Sequence, residues 1–309
     1  MLTQIMERMA PDALVGLDVG SSAIKLAELS SRGGALTLRR WAIESRTSAA
    51  ASQDVRHLWK RLGFSHNHVA VSVASPELVV KPFDVPKMPR RELAGAIRLE
   101  AEQATLNGHR VEDMVTDWHV LASTESVRGV VSVVPKATLE ARLATVRDAG
   151  LAPRVVDVDA LAVWNAWWAL AGSRHPSSRT IWLLNIGART TNLVIAASPD
   201  RLLLVRDAQL GAEAFGTDAE GDWAMELRDS LAYARSLSGL RELAAVVVTG
   251  GGALHAHAVP LITRIAAGVP VERWNPCDGL ALDEGCPAVA ERDGMRLAVA
   301  LGLAPRKNG

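Results

Sequence analysis

The 309-residue sequence predicts an α/β protein in which one βββαβα unit is laid down twice, with a small α+β module inserted into the first copy. Three observations carry this expectation. The stretches "LDVGSSAIKLAEL" and "LNIGARTTNLVIA" each set β-patterned apolar runs on either side of a short glycine turn, and aligning them places Asp18-x-Gly20 on Asn185-x-Gly187. Each hairpin is followed by a third strand, a helix and an apolar strand, in the same order. Between the copies, residues 76–151 hold more strands and helices than the repeat needs.

In chain order, strands are expected near residues 13–19, 23–29 and 36–43. "SQDVRHLWKRLG" reads as a helix: Ser52 offers a cap, Val55, Leu58, Trp59 and Leu62 share one face, and Gly63 stops it. "HVAVSVA" follows as a strand. The inserted module reads as a strand ("ELVVKPFDV"), a charged helix ("RRELAGAIRLEAEQA"), two strands ("MVTDWHVLA", "GVVSVVP") and a helix ending at Gly150. "PRVVDVDALAVWNAWWALAG" returns as a strand and a helix, in which Trp164, Trp167 and Trp168 recur at helical spacing and are expected as core. The second copy runs through "TIWLLNIG", "TTNLVIAA", "RLLLVR", the helix "DWAMELRDSLAYARSLSG" and the strand "AAVVVT", which enters Gly250-Gly251-Gly252. A last helix near 289–303 is expected to pack on the first copy. The domains expected are 13–75 with 152–179 and 289–306, the insertion 76–151, and 180–288.

Composition narrows the function classes. Lys plus Arg and Asp plus Glu are 34 each, so no whole-chain field draws in nucleic acid. Cys277 and Cys286 form no CxxC pair, which argues against a disulfide framework or a zinc site. His255-x-His257 would point to different faces of a helix, against a shared metal. No apolar run approaches the roughly 18 residues of a membrane span, and "MLTQIMERMAPD" lacks the apolar core of a signal peptide. The expectation is a cytoplasmic chain whose membrane attachment, if any, runs through a partner. No GxSxG elbow or HExxH helix is present.

The glycine turns carry the chemistry. Glycine lets backbone N–H groups approach an anion closely. At the first turn Ser21 and Ser22 add hydroxyl donors, Lys25 adds a positive charge, and Asp18 offers a carboxylate able to hold Mg2+ through water. "VVVTGGGA" places glycines where a nucleoside could lie against bare backbone. Taken alone, Gly20 to Ser22 read as a plain hairpin closure and Lys25 as a solvated strand residue; the three turns together favour a phosphate grip.

With these pieces in order, the chain resembles the actin-like (ribonuclease H-like) ATPase superfamily, and within it the PilM family of type IV pilus assembly proteins, related to the division protein FtsA. The resemblance runs from Val15 to Arg306 and rests on "GLDVGSSAIKLAEL", "DVPKMPRRELAGAIRLEAEQ", "LLNIGARTTNLVI", "VVVTGGGAL" and "RLAVALGLA". It implies first-phosphate contacts at Asp18, Gly20, Ser21, Ser22 and Lys25, with Asp18 the metal residue. It implies a second phosphate motif at Asn185, Gly187, Thr190 and Thr191, and nucleoside contacts at Gly250, Gly251 and Gly252. It also implies a cytoplasmic scaffold, peripheral to the inner membrane, that binds the tail of a PilN-like membrane protein as an extended peptide and works with other pilus assembly proteins. The "DVPKMPRREL" to "AGLAPR" block, including the charged helix, is the expected lining of that groove; self-association stays open.

Two departures bear on chemistry. Asn185 stands where the superfamily carries Asp, which removes charge from a metal site; Arg189 beside it reads as an exposed turn residue. After the third strand of the second copy only "DAQLGAEAFGTDAEGDWAME" remains of a longer stretch, with Glu213 read as a solvated loop residue. ATP and Mg2+ binding is therefore expected to be weakened by Asn185 and by the shortened segment 211–225, and turnover is the weaker expectation. Two alternatives stand beside the scaffold. One is an active actin-fold ATPase or small-molecule kinase. The other is an FtsA-like membrane-associated filament protein, which needs an amphipathic tail beyond the fold, where only "PRKNG" follows "VALGLA".

Overall fold

A computed structural model of the chain describes residues 14–32, 35–104, 110–172, 180–237 and 242–305. The first copy comprises β1 (Val15–Val19), β2 (Ala23–Arg32), β3 (Ala35–Ser45), α1 (Ala51–Leu62) and β4 (His68–Val73). The inserted stretch forms β5 (Val79–Pro86), α2 (Arg90–Ala104), β6 (Met114–Ser123), β7 (Ser126–Pro135) and α3 (Lys136–Asp148). Then β8 (Ala152–Val158) and α4 (Asp159–Leu170) complete the first copy. The second copy is β9 (Thr180–Ile186), β10 (Thr191–Ser198), β11 (Arg201–Ala208), α5 (Ala219–Ser236), β12 (Leu243–Thr249) and α6 (Ala258–Ala266), followed by the short strands β13 (Val271–Arg273) and β14 (Ala281–Leu282). Helices α7 (Glu291–Arg296) and α8 (Ala298–Leu303) close the described chain.

Two mixed sheets result. The first runs β14-β3-β2-β1-β4-β8 and the second β13-β12-β9-β10-β11-β5-β7-β6. The inserted strands extend the second sheet, joined by the pairing of Val80 with Val205. The short strand β14, which the sequence allots to the second half, pairs with β3 of the first sheet.

Side-chain alternation explains the layers. In β1, Val15 and Leu17 face Val55, Leu58 and Trp59 of α1 and Val146 of α3. Gly16, between them, faces α8 on the opposite side, where a Cβ would sit 2.0 Å from the Ala300 carbonyl oxygen. In β9, Trp182, Leu184 and Ile186 face α5 and α6, while Ile181 and Leu183 face inward. The inward residues of both sheets meet on α4. That helix is apolar over most of its surface, which suits a helix packed between two sheets. Trp164 and Trp167 are 4% and 2% exposed there, in the core that the sequence leads one to expect.

Local differences have physical causes. Gly63 ends α1 in the left-handed region at φ 61°, as its position after the last apolar residue predicts. Ser52, however, does not cap α1. The helix begins after Ala50 without a side-chain cap, and the Asp54 carboxylate instead accepts the N–H groups of Thr47 and Ser48 from the preceding loop. The helix expected over 289–303 is two short helices with Leu297 at the junction.

Candidate functional site

The two glycine hairpins close alike. The Gly20 N–H donates to the Ala23 carbonyl at 3.0 Å, and the Gly187 N–H to the Thr190 carbonyl at 2.8 Å. Their registers also correspond: Asp18 stands opposite Lys25, and Asn185 opposite Asn192. What fills the two positions differs. In the first hairpin Lys25 Nζ lies 2.7 Å from the carboxylate of Asp18, a residue only 5% exposed. A Cβ on Gly20 would sit 3.0 Å from that ammonium, so glycine leaves room for Lys25 to fold over the turn. In the second hairpin Asn185 Nδ2 donates to Asn192 Oδ1 at 2.6 Å, and Asn192 Nδ2 donates to Asp207 Oδ1 at 2.7 Å. A neutral amide pair thus stands where the first hairpin has an ion pair, and the nearest carboxylate is displaced by one strand.

Acids link the halves. Asp159, at the start of α4, has its carboxyl raised by burial and then by the charge of Asp18; a hydrogen bond with Ser72 and the charges of Arg142 and Lys25 oppose the shift. Asp207 is pushed up to about 7 by burial first and the Asp159 charge second, against the hydrogen bond from Asn192. Asp159 thus couples the Asp18–Lys25 pair of the first hairpin to Asp207 of the second copy, with Arg142 a second cation near it.

The other residues expected at the turns have varied surroundings. Ser21 and Ser22 are exposed, and Thr190 is half-buried. Thr191 is fully buried: its hydroxyl accepts from Trp223 Nε1 at 3.0 Å and donates to the Leu210 carbonyl at 2.8 Å, tying the hairpin to α5. The glycine triplet packs directly on the second hairpin. A Cβ on Gly250 would lie 2.4 Å from the Ile186 carbonyl oxygen, and one on Gly252 would lie 2.4 Å from Ile186 Cγ2; Gly251 faces the stem of Arg296. Close packing within the chain thus accounts for glycine at 250 and 252. The shortened segment folds back over the same turn, with the Ala212 and Glu213 N–H groups donating to the Gly187 and Ala188 carbonyls. Arg189 and Glu213 are exposed and pair with each other at 3.1 Å. His255 stacks on Phe215 while His257 pairs with Glu220 at 2.6 Å.

These residues do not fit a Mg2+ site of the kind the resemblance implies. The Asp18 carboxylate is already matched by an ammonium, and Asn185 brings no charge. Among the described residues no group of three His, Cys, Asp or Glu side chains converges as metal ligands would.

A groove of about 570 Å³ runs between β6, the edge strand of the second sheet, and β8, the edge strand of the first. Alternation builds one wall: Val115, Asp117, His119 and Leu121 of β6, with Val130 and Ser132 of β7, face the groove. Val127, Val131 and Val133 of β7 point the other way, into the core under α2 with Leu93 and Ile97. The opposite wall is Val155 to Val158 of β8, where Val156 is 37% exposed. The floor is one face of α4, with Leu161, Trp164, Asn165 and Trp168 at positions i, i+3, i+4 and i+7. Two expectations change here. The charged helix α2 does not line the groove, because its apolar face is already buried on the far side of β7. Trp168, expected as core, is a floor residue.

The site could be read from sequence only in part. Asn192, Asp159 and Asp207 were missed, though "TTNLVIAA" and "VRDAQ" carry polar residues at the ends of apolar strands, which is the available signal. Among the described residues no helix is long and apolar enough to cross a membrane.

Comparison with known proteins places these observations. Residues 16–230 match the family model described as type IV pilus assembly protein PilM. Among solved structures, the PilM-PilN type IV pilus biogenesis complex superposes with a TM-score of 0.78 at 26% identity, over 96% of this chain and 98% of that one. A protein of unknown function with an actin-like ATPase fold, from Bacteroides thetaiotaomicron, superposes with a TM-score of 0.51 at 13% identity, over 88% and 93%. That likeness shows the fold alone. Among curated proteins, 111 residues are 35% identical to the ethanolamine ammonia-lyase small subunit of Pseudomonas syringae pv. tomato, covering 35% of this chain. The match spans about a third (36%) of that relative's length.

Proposed function

Because the chain belongs to the PilM family of type IV pilus assembly proteins and has its actin-like fold, we propose that it is a cytoplasmic scaffold that holds the tail of a PilN-like inner-membrane protein in the groove between β6 and β8. The observation that carries this is the meeting of two sheet edges over an apolar floor. An edge strand presents unpaired N–H and C=O groups, so an extended peptide gains main-chain hydrogen bonds there while its alternate side chains enter the apolar space. A membrane partner caught in this way keeps the scaffold at the inner membrane and in reach of the other assembly proteins.

Titration calorimetry of the full chain with a synthetic tail peptide of the cognate PilN-like protein tests the reading. One peptide per chain should bind. Val156→Asp, which sets a charge in the apolar wall beside Asp157, should weaken binding about tenfold or more, since burying an uncompensated charge is costly. No heat and no shift in melting temperature would reject the proposal.

A second reading, nucleotide binding at the hairpin hollow, draws support from the paired turns and from Lys25. Without a fitting metal site, Lys25 is the cation that phosphate would meet, which favours binding over turnover.

A further inference from the structure

The first sheet carries a basic strip at the end remote from the Gly20 turn. Strands β1, β4 and β8 run parallel, so the starts of β4 and β8 lie together, opposite the end where β1 enters that turn. The chain leading into β4, residues 56–68, reads "RHLWKRLGFSHNH": Arg56, Lys60 and Arg61 with three histidines and no acid. Over the whole chain basic and acidic residues balance at 34 each, so this excess is local.

Contacts tie these residues into one surface. The Arg40 guanidinium of β3 lies over the Phe64 ring at 5.1 Å, and its Nη1 reaches the Leu62 carbonyl at 3.4 Å. Phe64 leads through His66 to His68, with successive ring centroids 6.3 and 5.9 Å apart. His68 Nε2 lies 2.8 Å from Arg154 Nη2, at the start of β8. The acids present do not cancel the charge. Glu28 is shared by Arg39 and Arg40 at 3.1 and 3.4 Å, and Glu44 holds Arg61 at 2.6 Å. Arg56 donates to the Asp148 carbonyl instead of a carboxylate. Lys60 and Arg154 are exposed and form no ion pair among the described residues.

Position selects the anion. Arg154 directly precedes Val155 to Val158, the β8 wall of the groove, so the strip continues the surface assigned above to the tail. A chain held there works within reach of the bilayer, whose cytoplasmic leaflet is negative and whose surface potential fades within about 8–10 Å. None of the strip's cations lines the groove itself. Spread along a strip instead of gathered round a pocket, they suit a plane of repeated phosphates better than one folded acidic partner.

We propose that this strip binds anionic phospholipid headgroups and gives the scaffold a second, electrostatic hold on the inner membrane. The charge of the strip is independent of the groove reading; the choice of lipid as its partner rests on that reading.

The test is co-sedimentation of the full chain, without tail peptide, with vesicles of phosphatidylglycerol and phosphatidylcholine in equal parts and with vesicles of phosphatidylcholine alone. The unaltered chain should pellet with the anionic vesicles only, and about 1 M salt, where the screening length is about 3 Å, should release it. Lys60→Gln and Arg154→Gln should each lower the partition coefficient about fivefold, and together about twenty-five-fold. Arg228→Gln on α5, the same change of charge on the second copy, should leave it unaltered, and all variants should melt alike. A chain that binds the tail peptide in calorimetry but ignores anionic vesicles sinks the lipid assignment and leaves the groove reading standing. Anionic vesicles that hold the double variant as well as the unaltered chain also sink it, because the membrane contact then lies elsewhere. Binding to poly-L-glutamate that the two variants weaken, without vesicle binding, would assign the strip to an acidic protein and overturn the proposal. Vesicle binding that the variants weaken, in a chain that gives no heat with the tail peptide, would support the strip and reject the groove reading.

Discussion

Asp207→Asn should stabilise this protein at neutral and alkaline pH. The Asp207 carboxyl is raised from an ordinary 3.8 to about 7 by burial first and by the charge of Asp159 second. Three units at about 1.36 kcal/mol each set an upper limit near 4 kcal/mol; the side chain keeps some exposure, so about 2–4 kcal/mol is the working range. The sign follows from the raised value. The folded state holds a proton that the unfolded state releases, so this group favours folding below about pH 4, the advantage falls away between pH 4 and 7, and above 7 the loss is complete. Of the groups facing it, Asp159 adds negative charge and the Asn192 amide offsets it; Asp159 is itself raised by Asp18 and opposed by Ser72, Arg142 and Lys25. An asparagine removes the charge and still offers Asn192 an oxygen. Urea denaturation from pH 4.5 to 8 should show the variant more stable by about 2–4 kcal/mol at pH 8, converging on the unaltered chain at the acid end, with equal m-values. A variant less stable than the unaltered chain at pH 8, or an unaltered chain whose stability does not change over this range, would refute the reasoning.

Further predictions concern packing and metal. Gly16→Ala forces a Cβ to within 2.0 Å of the Ala300 carbonyl, backbone against backbone, and should cost several kcal/mol in denaturation. Gly95→Ala on the exposed face of α2 meets nothing within 4 Å and should gain about 0.8–1 kcal/mol from helix propensity alone. Any ATP or ADP binding at the hairpins should be the same with Mg2+ as with a chelator, measured by equilibrium dialysis. Asn185→Asp should introduce metal dependence, and a strong Mg2+ requirement in the unaltered chain would contradict the fit described above.

What the sequence disclosed follows from range. The glycine hairpins were legible because each closes within a few residues, so Gly20 and Gly187 mark them locally. The burial of Trp164 and Trp167 was legible because they recur at helical spacing in the mostly apolar run "VWNAWWAL". The Asn185, Asn192 and Asp207 relay was not, since it depends on registers between three strands. Ser52 has the residue type and position of a cap, but Asp54, reaching back to Thr47 and Ser48, ties down the entry to α1 instead. The groove was hidden for a related reason. The alternation in "VTDWHVLA" shows that β6 has two faces, but only tertiary structure brings one of them opposite β8.

Amide hydrogen exchange on the full chain, with and without the PilN-like tail peptide, bears most directly on the central claim. Peptide should slow exchange along β6 (Met114–Ser123) and β8 (Ala152–Val158) and leave α2 unchanged. Saturating peptide that protects α2 or α5 while β6 and β8 exchange as before would contradict the account.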